Sequence, residues 1–333
     1  MVSQACSSSS SPRVSVVIPT LNEARNLPYV FSRLPAGVHE VIVVDGHSVD
    51  DTLAVARQLR PDVRVVLQTR KGKGNALACG FEAATGDVIA MIDADGSADP
   101  GEIPSFVNAL VGGADFAKGT RFVRGGGSSD ITRIRSIGNR LLTAVVNLLW
   151  STSYTDLCYG YNAFWRRYVS VLGLETTSPS PAGDGRLWGD GFEIETLIHI
   201  RVAQEELRVV EVPSFEHPRI HGVSNLSAFS DGLRVLTTIL VERRRSRREA
   251  SDTSVPTVQG SGPSRVQRLF VRMLFVLHAT DGGRRVHRGG ITSRPATNLT
   301  VSRGLVQPQR PGNAGPPADA VKRQPNTIDK SSD

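Results

Sequence analysis

Two aspartates separated by one residue, Asp93 and Asp95, are the strongest candidates for chemistry in this sequence. They follow the apolar run 88–92, which has the length and composition of a buried strand. In an extended segment, side chains two residues apart point the same way, so both carboxylates face one side. Hard oxygen ligands of this kind bind Mg²⁺ or Mn²⁺, and water and substrate phosphates fill the remaining positions. The Asp-x-Asp pattern is common by chance, so it indicates a metal site only when its position in the fold supports one.

The elements that must hold this pair alternate between strand and helix. Apolar, β-branched runs predict buried strands, and the segments between them predict helices. Such alternation is typical of an α/β fold with a mostly parallel sheet flanked by helices. The predicted strands are 14–18, 41–44, 63–67, 88–92 and 115–118, and the predicted helices are 23–34, 51–59, 75–84 and 100–112.

Polar residues follow three of these strands at the point where each strand ends. The segments are 19–23, 45–48 and 93–96. Because ligands of open parallel sheets bind beyond the carboxyl ends of the strands, we expect the three segments to share one crevice. Asp45 can accept a hydrogen bond there from a nucleoside base or a ribose hydroxyl, and its alternative role is to shape a turn.

The second half of the chain is more mixed, and both ends differ from the middle in composition. Low apolar content predicts a disordered lead at 1–13 and a disordered basic tail at 246–333, so the folded domain spans 14–245. The predicted helices of the second half are 134–150, 192–205 and 226–243, the strands lie within 156–166 and at 207–212, and 177–185 is an exposed insertion.

The charge of the chain limits its partners. A net charge of +7 over 333 residues suits phosphorylated substrates or an anionic membrane. The arginine cluster at 243–248 has no aromatic stacking platform beside it, which favours a membrane surface over nucleic acid, with a solvated helix end as the alternative. No apolar run is long enough to span a bilayer, whereas 141–150 and 269–277 could lie in its interface. Three isolated cysteines fit a reducing cytoplasm.

Several motifs, taken together and in order, resemble the family 2 glycosyltransferases. Segments 119–127, 156–162 and 219–225 further resemble the dolichyl- or polyprenyl-phosphate sugar transferases of that family. Residues 159–162 read Tyr-Gly-Tyr-Asn where such relatives often have Ser-Gly-Phe-Arg, a departure that concerns the acceptor and not the donor. The segments that carry the family resemblance are 16–23, 43–52, 73–76, 84–87 and 91–95.

The resemblance implies a GT-A fold with a nucleotide-sugar half at 14–120 and an acceptor half at 121–245. It also implies a nucleotide-diphosphate sugar donor, Mg²⁺ or Mn²⁺, and inversion at the anomeric carbon. By matched position, it assigns Pro19, Thr20, Glu23 and Asp45 to the nucleoside pocket with Lys73 nearby, Asp93 and Asp95 to the metal and diphosphate, and Arg121, Arg219 and Ser224 to phosphate.

The acceptor class decides whether a general base is needed. A hydroxyl acceptor must lose a proton, whereas a phosphate monoester is already an anion near neutral pH. Asp156 is the first candidate for a residue near the reacting centre, and Asp190, Glu193 and Glu195 are the others, although Glu193 and Glu195 are expected to point to different helix faces. The glycine run 125–127 is expected to be a flexible loop that closes over the substrate.

The leading hypothesis is an inverting transferase that moves a hexose from a UDP- or GDP-sugar to a polyprenyl phosphate. Such an enzyme is expected to be cytoplasmic and peripheral at the inner face of the plasma membrane. A second hypothesis keeps the donor and changes the acceptor to a saccharide or another hydroxyl compound of the cell envelope. A third, from another class, is a non-catalytic protein that binds a membrane surface or nucleic acid.

Overall fold

A computed structural model of the chain describes residues 11–174, 176, 187–222 and 228–253. Its centre is a seven-stranded sheet. The strands are β1 (Val14–Thr20), β2 (Glu40–Asp45), β3 (Arg64–Leu67), β4 (Val88–Met91), β5 (Phe116–Thr120), β6 (Gly127–Ser128), β7 (Asn162–Trp165), β8 (Val209–Pro213) and β9 (Phe215–Glu216). The order in the main sheet is β3-β2-β1-β4-β7-β5-β8, and β6 pairs with β9 in a small second sheet.

The main sheet is mostly parallel, as predicted. Strands β1, β2, β3 and β4 run parallel to one another, and β5 runs parallel to β8. Strand β7 is the exception, because it lies antiparallel between β4 and β5. The chain therefore changes direction in the middle of the sheet, where the second half of the sequence joins the first.

Helices cover both faces of this sheet. The helices are α1 (Leu27–Ser32), α2 (Thr52–Leu59), α3 (Lys73–Ala83), α4 (Ile103–Val111), α5 (Arg133–Trp150), α6 (Val169–Leu172), α7 (Ile194–Gln204) and α8 (Ala228–Thr253). Alternate residues of β1 point to opposite faces, so Val16 and Ile18 pack with α1, α2 and α4, whereas Val17 packs with α3 and α7. The predicted α/β fold, a mostly parallel sheet flanked by helices, is confirmed.

A third apolar cluster joins α5 and α8 to the body of the domain. It contains Val146 of α5, Ile200 of α7, and Val235 and Ile239 of α8. Helices α5 and α8 pack side by side, and the guanidinium of Arg243 lies 5.8 Å from the ring centre of Trp150 at the end of α5. This helical layer forms the outer wall of the cleft described below.

The observed element ends differ from the predicted ones in three places. Residues 23–26 precede α1 as a turn, because α1 begins at Leu27 with a proline in its first turn. Arg13, in the predicted disordered lead, donates to Asp87 from its backbone and its side chain. The first ten residues and the predicted insertion at 177–185 lie outside the described residues.

The third difference concerns the predicted tail. Helix α8 continues to Thr253, beyond the predicted domain end at 245. Arginine is a good helix former, so the arginine cluster extends the helix where composition alone predicted disorder. The rest of the predicted tail, 254–333, lies outside the described residues.

The glycine run is a packed corner and not the flexible loop that its composition predicted. Gly127 belongs to β6 and pairs with Phe215. A side chain added at Gly126 would lie 2.6 Å from the carbonyl oxygen of Thr120. These glycines let two backbones approach closely.

Candidate active site

The polar segments after β1, β2 and β4 lie at one edge of the sheet. These three strands are adjacent and parallel, so their carboxyl ends coincide. Thr20 stands directly opposite Asp45 in the β1–β2 register. The crevice expected from the strand ends is therefore present, and it can be built residue by residue.

Asp45 provides an unsatisfied acceptor at this edge. Its Oδ2 accepts the backbone N–H of Ser48 at 3.0 Å. Its Oδ1 is buried and has no hydrogen-bond partner among the residues that the structure describes. Since buried polar atoms are nearly always paired, this oxygen is suited to an N–H or hydroxyl of a bound molecule. Pro19 and Thr20 precede it in the adjacent strand, and the Thr20 hydroxyl donates to the Val44 carbonyl at 3.3 Å.

Glu23 lies between this edge and the second half of the chain. Its Oε1 is 3.6 Å from Nη1 of Arg219, and its Oε2 accepts from the side-chain amide of Asn26. Burial raises the pKa of Glu23, and the neighbouring charge of Asp95 raises it further. Glu23 therefore anchors Arg219 and does not extend freely into solvent.

Each of the paired aspartates is matched with one cation. Nζ of Lys73 lies 2.6 Å from Oδ1 of Asp93, and Nη2 of Arg219 lies 2.9 Å from Oδ2 of Asp95. Asp95 also accepts the backbone N–H of Ser97 at 2.9 Å through Oδ1. The two carboxylates are thus held in place beside two positive charges, as in a site built for a phosphate ester and its counter-ion.

The donor set fits a divalent cation only if the substrate completes it. Asp93 and Asp95 offer hard oxygen atoms on one side of the loop after β4. Within the described part of the chain, no group of three or more histidine, cysteine or acidic side chains forms a metal site by itself. Two carboxylates with diphosphate oxygens and water would suit Mg²⁺ or Mn²⁺, and a protein-only zinc or calcium cage would not fit.

Glu195, at the start of α7, closes the cluster from the opposite side. Its Oε1 lies 2.6 Å from Nζ of Lys73, so the lysine bridges Glu195 and Asp93. Burial raises the pKa of Glu195, the Lys73 ammonium lowers it and the Asp93 charge raises it again. A side chain at Gly160 would lie 3.0 Å from Nζ of Lys73 and 3.1 Å from Oε1 of Glu195, so the backbone itself packs against this charged group.

A buried ion pair fixes the loop that carries Lys73. Nε of Arg70 donates to Oδ2 of Asp190 at 2.8 Å, and both side chains are almost fully buried. Gly72 adopts a φ of +126°, and a side chain there would lie 2.0 Å from the carbonyl oxygen of Asp190. Lys73, which the resemblance put near the nucleoside pocket, is therefore positioned at Asp93.

Arg121 is paired with carboxylates on both sides. Its Nε and Nη2 donate to Asp156 at 2.7 and 3.0 Å, and its Nη1 donates to Glu216 at 2.9 Å. Asn139 of α5 donates to the same Asp156 carboxylate at 3.0 Å. Burial by itself raises the pKa of Asp156, but the Arg121 guanidinium holds that pKa below its usual range.

This network changes the interpretation of Asp156. The residue is completely buried and does not line the cleft, so its carboxylate cannot reach an acceptor hydroxyl. Its geometry is that of a positioning residue for Arg121, which does reach the cleft wall. Sequence position alone made Asp156 the first candidate for the reacting centre. Its buried ion pair indicates that it positions the Arg121 guanidinium instead.

One cleft of about 440 Å³ lies beside the paired aspartates. One wall carries charge: Lys73, Asp93, Asp95, Glu195 and Arg219. Pro19, Thr20, Glu23 and Asp45 are not among the residues that line this cleft. Its apolar lining residues come from α5, α8 and the segments before α5 and α7: Ile131, Ile134, Leu142, Phe192 and Val235. The charged residues Asp130, Arg135 and Asp231 line it as well. The cleft therefore combines a phosphate-compatible charged group with apolar side chains.

Sequence reasoning ranked some members of this site too low. Glu195 was one of the candidate residues near the reacting centre, but it ranked below Asp156. Helix periodicity could not show that Lys73 would reach it. Asn139 and Glu216 carried no local signal, since only the packing of α5 and β9 brings them to Arg121 and Asp156. Ser224 lies outside the described residues.

None of the helices in the described segments is both long and apolar enough to cross a bilayer.

Comparison with known proteins gives related sequences over the same region. A family model described as "Glycosyl transferase family 2" matches residues 15–173. A polyprenol monophosphomannose synthase of Mycolicibacterium smegmatis is 32% identical over 225 residues, which cover 65% of this chain and 81% of that relative. An uncharacterized glycosyltransferase of Mycobacterium tuberculosis is 46% identical over 108 residues, covering 32% of this chain and 48% of the relative. The matched region thus spans about half the length of that Mycobacterium tuberculosis relative.

Solved structures share the fold. A glucosyl-3-phosphoglycerate synthase of Mycobacterium tuberculosis in complex with Mg²⁺ and uridine diphosphate matches with a TM-score of 0.52 and 26% identity, over 70% of this chain and 79% of that chain. Another structure of that synthase contains Mn²⁺, uridine diphosphate and phosphoglyceric acid, with a TM-score of 0.52 and 25% identity, over 70% and 78%. These likenesses confirm the GT-A fold that the sequence resemblance implied.

Proposed function

We infer the activity of this chain from two facts together: it belongs to glycosyl transferase family 2, and its cleft combines a charged group with apolar side chains. We propose that it is an inverting enzyme that moves a hexose from a UDP- or GDP-sugar to a polyprenyl phosphate. The observation that carries the proposal is the continuity of the cleft from Asp93 and Asp95 to the apolar residues of α5. Family membership counts against the hypothesis of a non-catalytic binding protein.

The donor nucleoside would lie at the ends of β1 and β2. The unpartnered Oδ1 of Asp45 would accept from the base or from a ribose hydroxyl, beside Pro19 and Thr20. Glu23, held by Asn26 and Arg219, would close the pocket on its other side. This arrangement leaves the diphosphate directed toward the loop after β4.

The diphosphate would lie beside Asp93 and Asp95, which would hold Mg²⁺ or Mn²⁺ together with substrate oxygens. Such an ion, when bound, supplies Lewis-acid stabilisation of the charge on the leaving diphosphate. Lys73 and Arg219 already stand at these carboxylates and can turn their charge to the same phosphate oxygens. Charge that develops as the sugar–phosphate bond breaks would thus be stabilised by groups fixed in advance.

The geometry around the acceptor favours a phosphate over a hydroxyl. Asp156 is enclosed by Arg121 and Asn139, and Glu195 is engaged by Lys73. A hydroxyl acceptor needs a general base, and both of these candidates are already engaged, whereas a phosphate monoester brings its own anionic oxygen. The apolar residues beside the cleft would accommodate the first isoprene units of such a lipid.

A hydroxyl acceptor is the second candidate, and Glu195 is the observation that favours it. This carboxylate lines the cleft, and burial raises its pKa. If Lys73 moved to the diphosphate, Glu195 would become available to accept a proton. The two candidates share the donor site and differ only in the product.

One assay separates the two acceptor classes. The enzyme is incubated with a panel of radiolabelled UDP- and GDP-sugars, extracted membranes and Mg²⁺ or Mn²⁺, and the product is partitioned between organic solvent and water. The proposal expects label from one nucleotide sugar in the organic phase, released as free sugar by mild acid. Label found only in a water-soluble glycoside or polymer would reject the lipid-phosphate acceptor and support a hydroxyl acceptor.

The proposed acceptor also requires contact with a membrane. We propose a cytoplasmic protein, peripheral at the inner face of the plasma membrane. Support comes from the net charge of +7 and from the arginine cluster at 243–248 in the C-terminal half of α8.

A further inference from the structure

Helix α5 exposes an apolar stripe that the fold does not use. Ile134, Ile137, Leu141 and Leu148 are 77%, 59%, 65% and 52% exposed. Their spacings of three, four and seven residues place them on one face of the helix. A second face of α5, formed by Asn139, Thr143 and Val146, is buried in the domain. The helix is therefore apolar outward as well as inward, which is unusual for a helix on the surface of a soluble domain.

Positive charge accompanies this stripe. Arg133 and Arg140 are exposed on α5 itself, and each directly precedes a stripe residue in the sequence. At the other end of α5, Arg243 lies over Trp150 and begins the arginine cluster of α8. Apolar side chains flanked by arginines suit the boundary between acyl chains and anionic head groups.

The stripe also lies at the mouth of the cleft. Ile134 is both a stripe residue and part of the cleft lining. Its neighbours Ile131 and Arg135, which do not belong to the stripe, line the cleft as well. Val235 and Gly232 of α8 line the same cleft. A flat surface placed against the stripe would therefore meet the cleft opening.

We propose that the outer face of α5 docks the enzyme on an anionic lipid bilayer, with Ile134, Ile137, Leu141 and Leu148 inserted at the level of the head groups. The inference rests on the proposed function, because the proposed lipid acceptor has to reach the cleft from a membrane. Basic residues on both helices select a lipid surface over a second copy of this chain, because two such faces would repel one another. Docking in this orientation would bring a head-group phosphate to the charged wall without removing the lipid tail from the bilayer.

Vesicle binding by the full chain tests the proposal. The double variant Ile137→Glu and Leu141→Glu places two charges in the stripe at positions outside the cleft lining. Cosedimentation with vesicles of equal parts phosphatidylglycerol and phosphatidylcholine should fall at least about tenfold for this variant, because charged side chains cannot insert. The matched control is Leu59→Glu with Val111→Glu, two exposed apolar positions on α2 and α4, and it should bind as the unmodified protein does.

A second measurement keeps the test valid if the charged variant folds poorly. Leu141→Trp should be quenched by brominated phosphatidylcholine in mixed anionic vesicles, and Leu59→Trp should not. Equal vesicle binding by the charged variant and the unmodified protein would overturn the proposal. So would equal quenching at the two tryptophan positions, or a shift from dimer to monomer in the charged variant with vesicle binding unchanged.

Transfer assays separate this inference from the proposed function. Transfer to a short-chain, water-soluble polyprenyl phosphate should be retained by the charged variant, whereas transfer to long-chain acceptor in vesicles should fall. If neither protein transfers to any polyprenyl phosphate, the proposed function fails, and vesicle binding still decides the docking face. If transfer to vesicle-borne acceptor is equal in both proteins, the docking face fails alone.

Discussion

Asp95 shows how much of the site depends on single charges. Its carboxylate is shielded on one oxygen by Arg219 at 2.9 Å and on the other by the Ser97 N–H. Removing the carboxylate would leave Arg219 paired with Glu23 alone. The consequence should fall on substrate binding and chemistry, because Asp95 belongs to no apolar cluster.

We therefore predict that Asp95→Ala lowers sugar transfer by at least about a hundredfold, the scale of losing a group that stabilises developing charge. Calorimetric binding of uridine or guanosine diphosphate in the presence of Mn²⁺ should weaken in parallel. Circular dichroism should show an unchanged fold. The control is Asp62→Ala, which removes a carboxylate paired only with Arg60 at the surface. Normal turnover by Asp95→Ala would reject the proposed metal and diphosphate site.

Glu195 has a subtler role at this scale. It shares the Lys73 ammonium with Asp93, since both lie 2.6 Å from Nζ. Without the Glu195 charge, Lys73 would pair with Asp93 alone and compete more strongly with any bound cation. The carboxylate of Glu195 thus helps to keep Asp93 available.

The corresponding prediction concerns Glu195→Gln, which keeps the shape and removes the charge. The Mn²⁺ concentration needed for half-maximal nucleotide binding should rise by about tenfold, equivalent to roughly 1.4 kcal/mol. Isothermal titration of Mn²⁺ with uridine diphosphate present measures the change without turnover. Glu205→Gln, an exposed position directly after α7, should leave the titration unaltered. An unchanged Mn²⁺ requirement in Glu195→Gln would show that Lys73 does not compete at Asp93.

At the scale of elements, one buried ion network ties three segments of the acceptor half together. Arg121 directly follows β5, Asp156 precedes β7, and Glu216 belongs to β9. The Arg121 guanidinium donates to the Asp156 carboxylate at 2.7 Å and to the Glu216 carboxylate at 2.9 Å. Such a network is stable only when complete, because a lone buried charge is costly.

Arg121→Met should accordingly lower the free energy of unfolding by about 3–5 kcal/mol, the usual cost of leaving a buried charge unpaired. Urea denaturation measures this change. Adding Asp156→Leu to the same chain should recover part of the loss, since the orphaned carboxylate is then removed. For comparison, Arg60→Met breaks an exposed pair and should cost less than about 1 kcal/mol. A similar small cost for Arg121→Met would mean that the network carries little of the stability.

At the scale of the whole molecule, the described part of the domain holds the cleft and every predicted site residue except Ser224. The seven-stranded sheet, its two apolar faces and the helical layer of α5 and α8 lie within residues 14–253. All the residues that line the cleft fall in this range. The catalytic machinery should therefore not need the residues that follow.

Ending the chain at Thr253 tests this point. Transfer to a water-soluble, short-chain acceptor should stay within about twofold of the full chain, because the shortened chain keeps every residue that lines the described cleft. Initial rates with saturating donor measure the effect. Truncation at Thr237, inside α8, serves as a positive control, since it removes Ile239 from the third apolar cluster and should destabilise the domain. A loss of tenfold or more after ending at Thr253 would show that 254–333 contribute to the reaction.

The sequence by itself determined the sheet and the donor edge. The β-branched runs of β1, β2 and β4 have no stable place except the middle of a parallel sheet, and the carboxyl ends of parallel strands must meet. That is why the sequence places Asp45, Asp93 and Asp95 at one edge of the sheet. The same local rules failed at 246–253, where low apolar content predicted disorder and helix propensity prevailed.

Only the tertiary structure decided how the second half completes the site. Lys73 reaches Asp93 because the Arg70–Asp190 pair and Gly72 fix its loop against the segment before α7. Asp156 is removed from the cleft because β5, α5 and β9 bring Arg121, Asn139 and Glu216 around it. These contacts join residues far apart in the chain, so their energies depend on distances and burial that no local pattern encodes. The exposed apolar face of α5 also depends on the tertiary structure. The sequence shows that the helix has apolar residues on more than one face, but only packing decides which face is buried and which stays exposed.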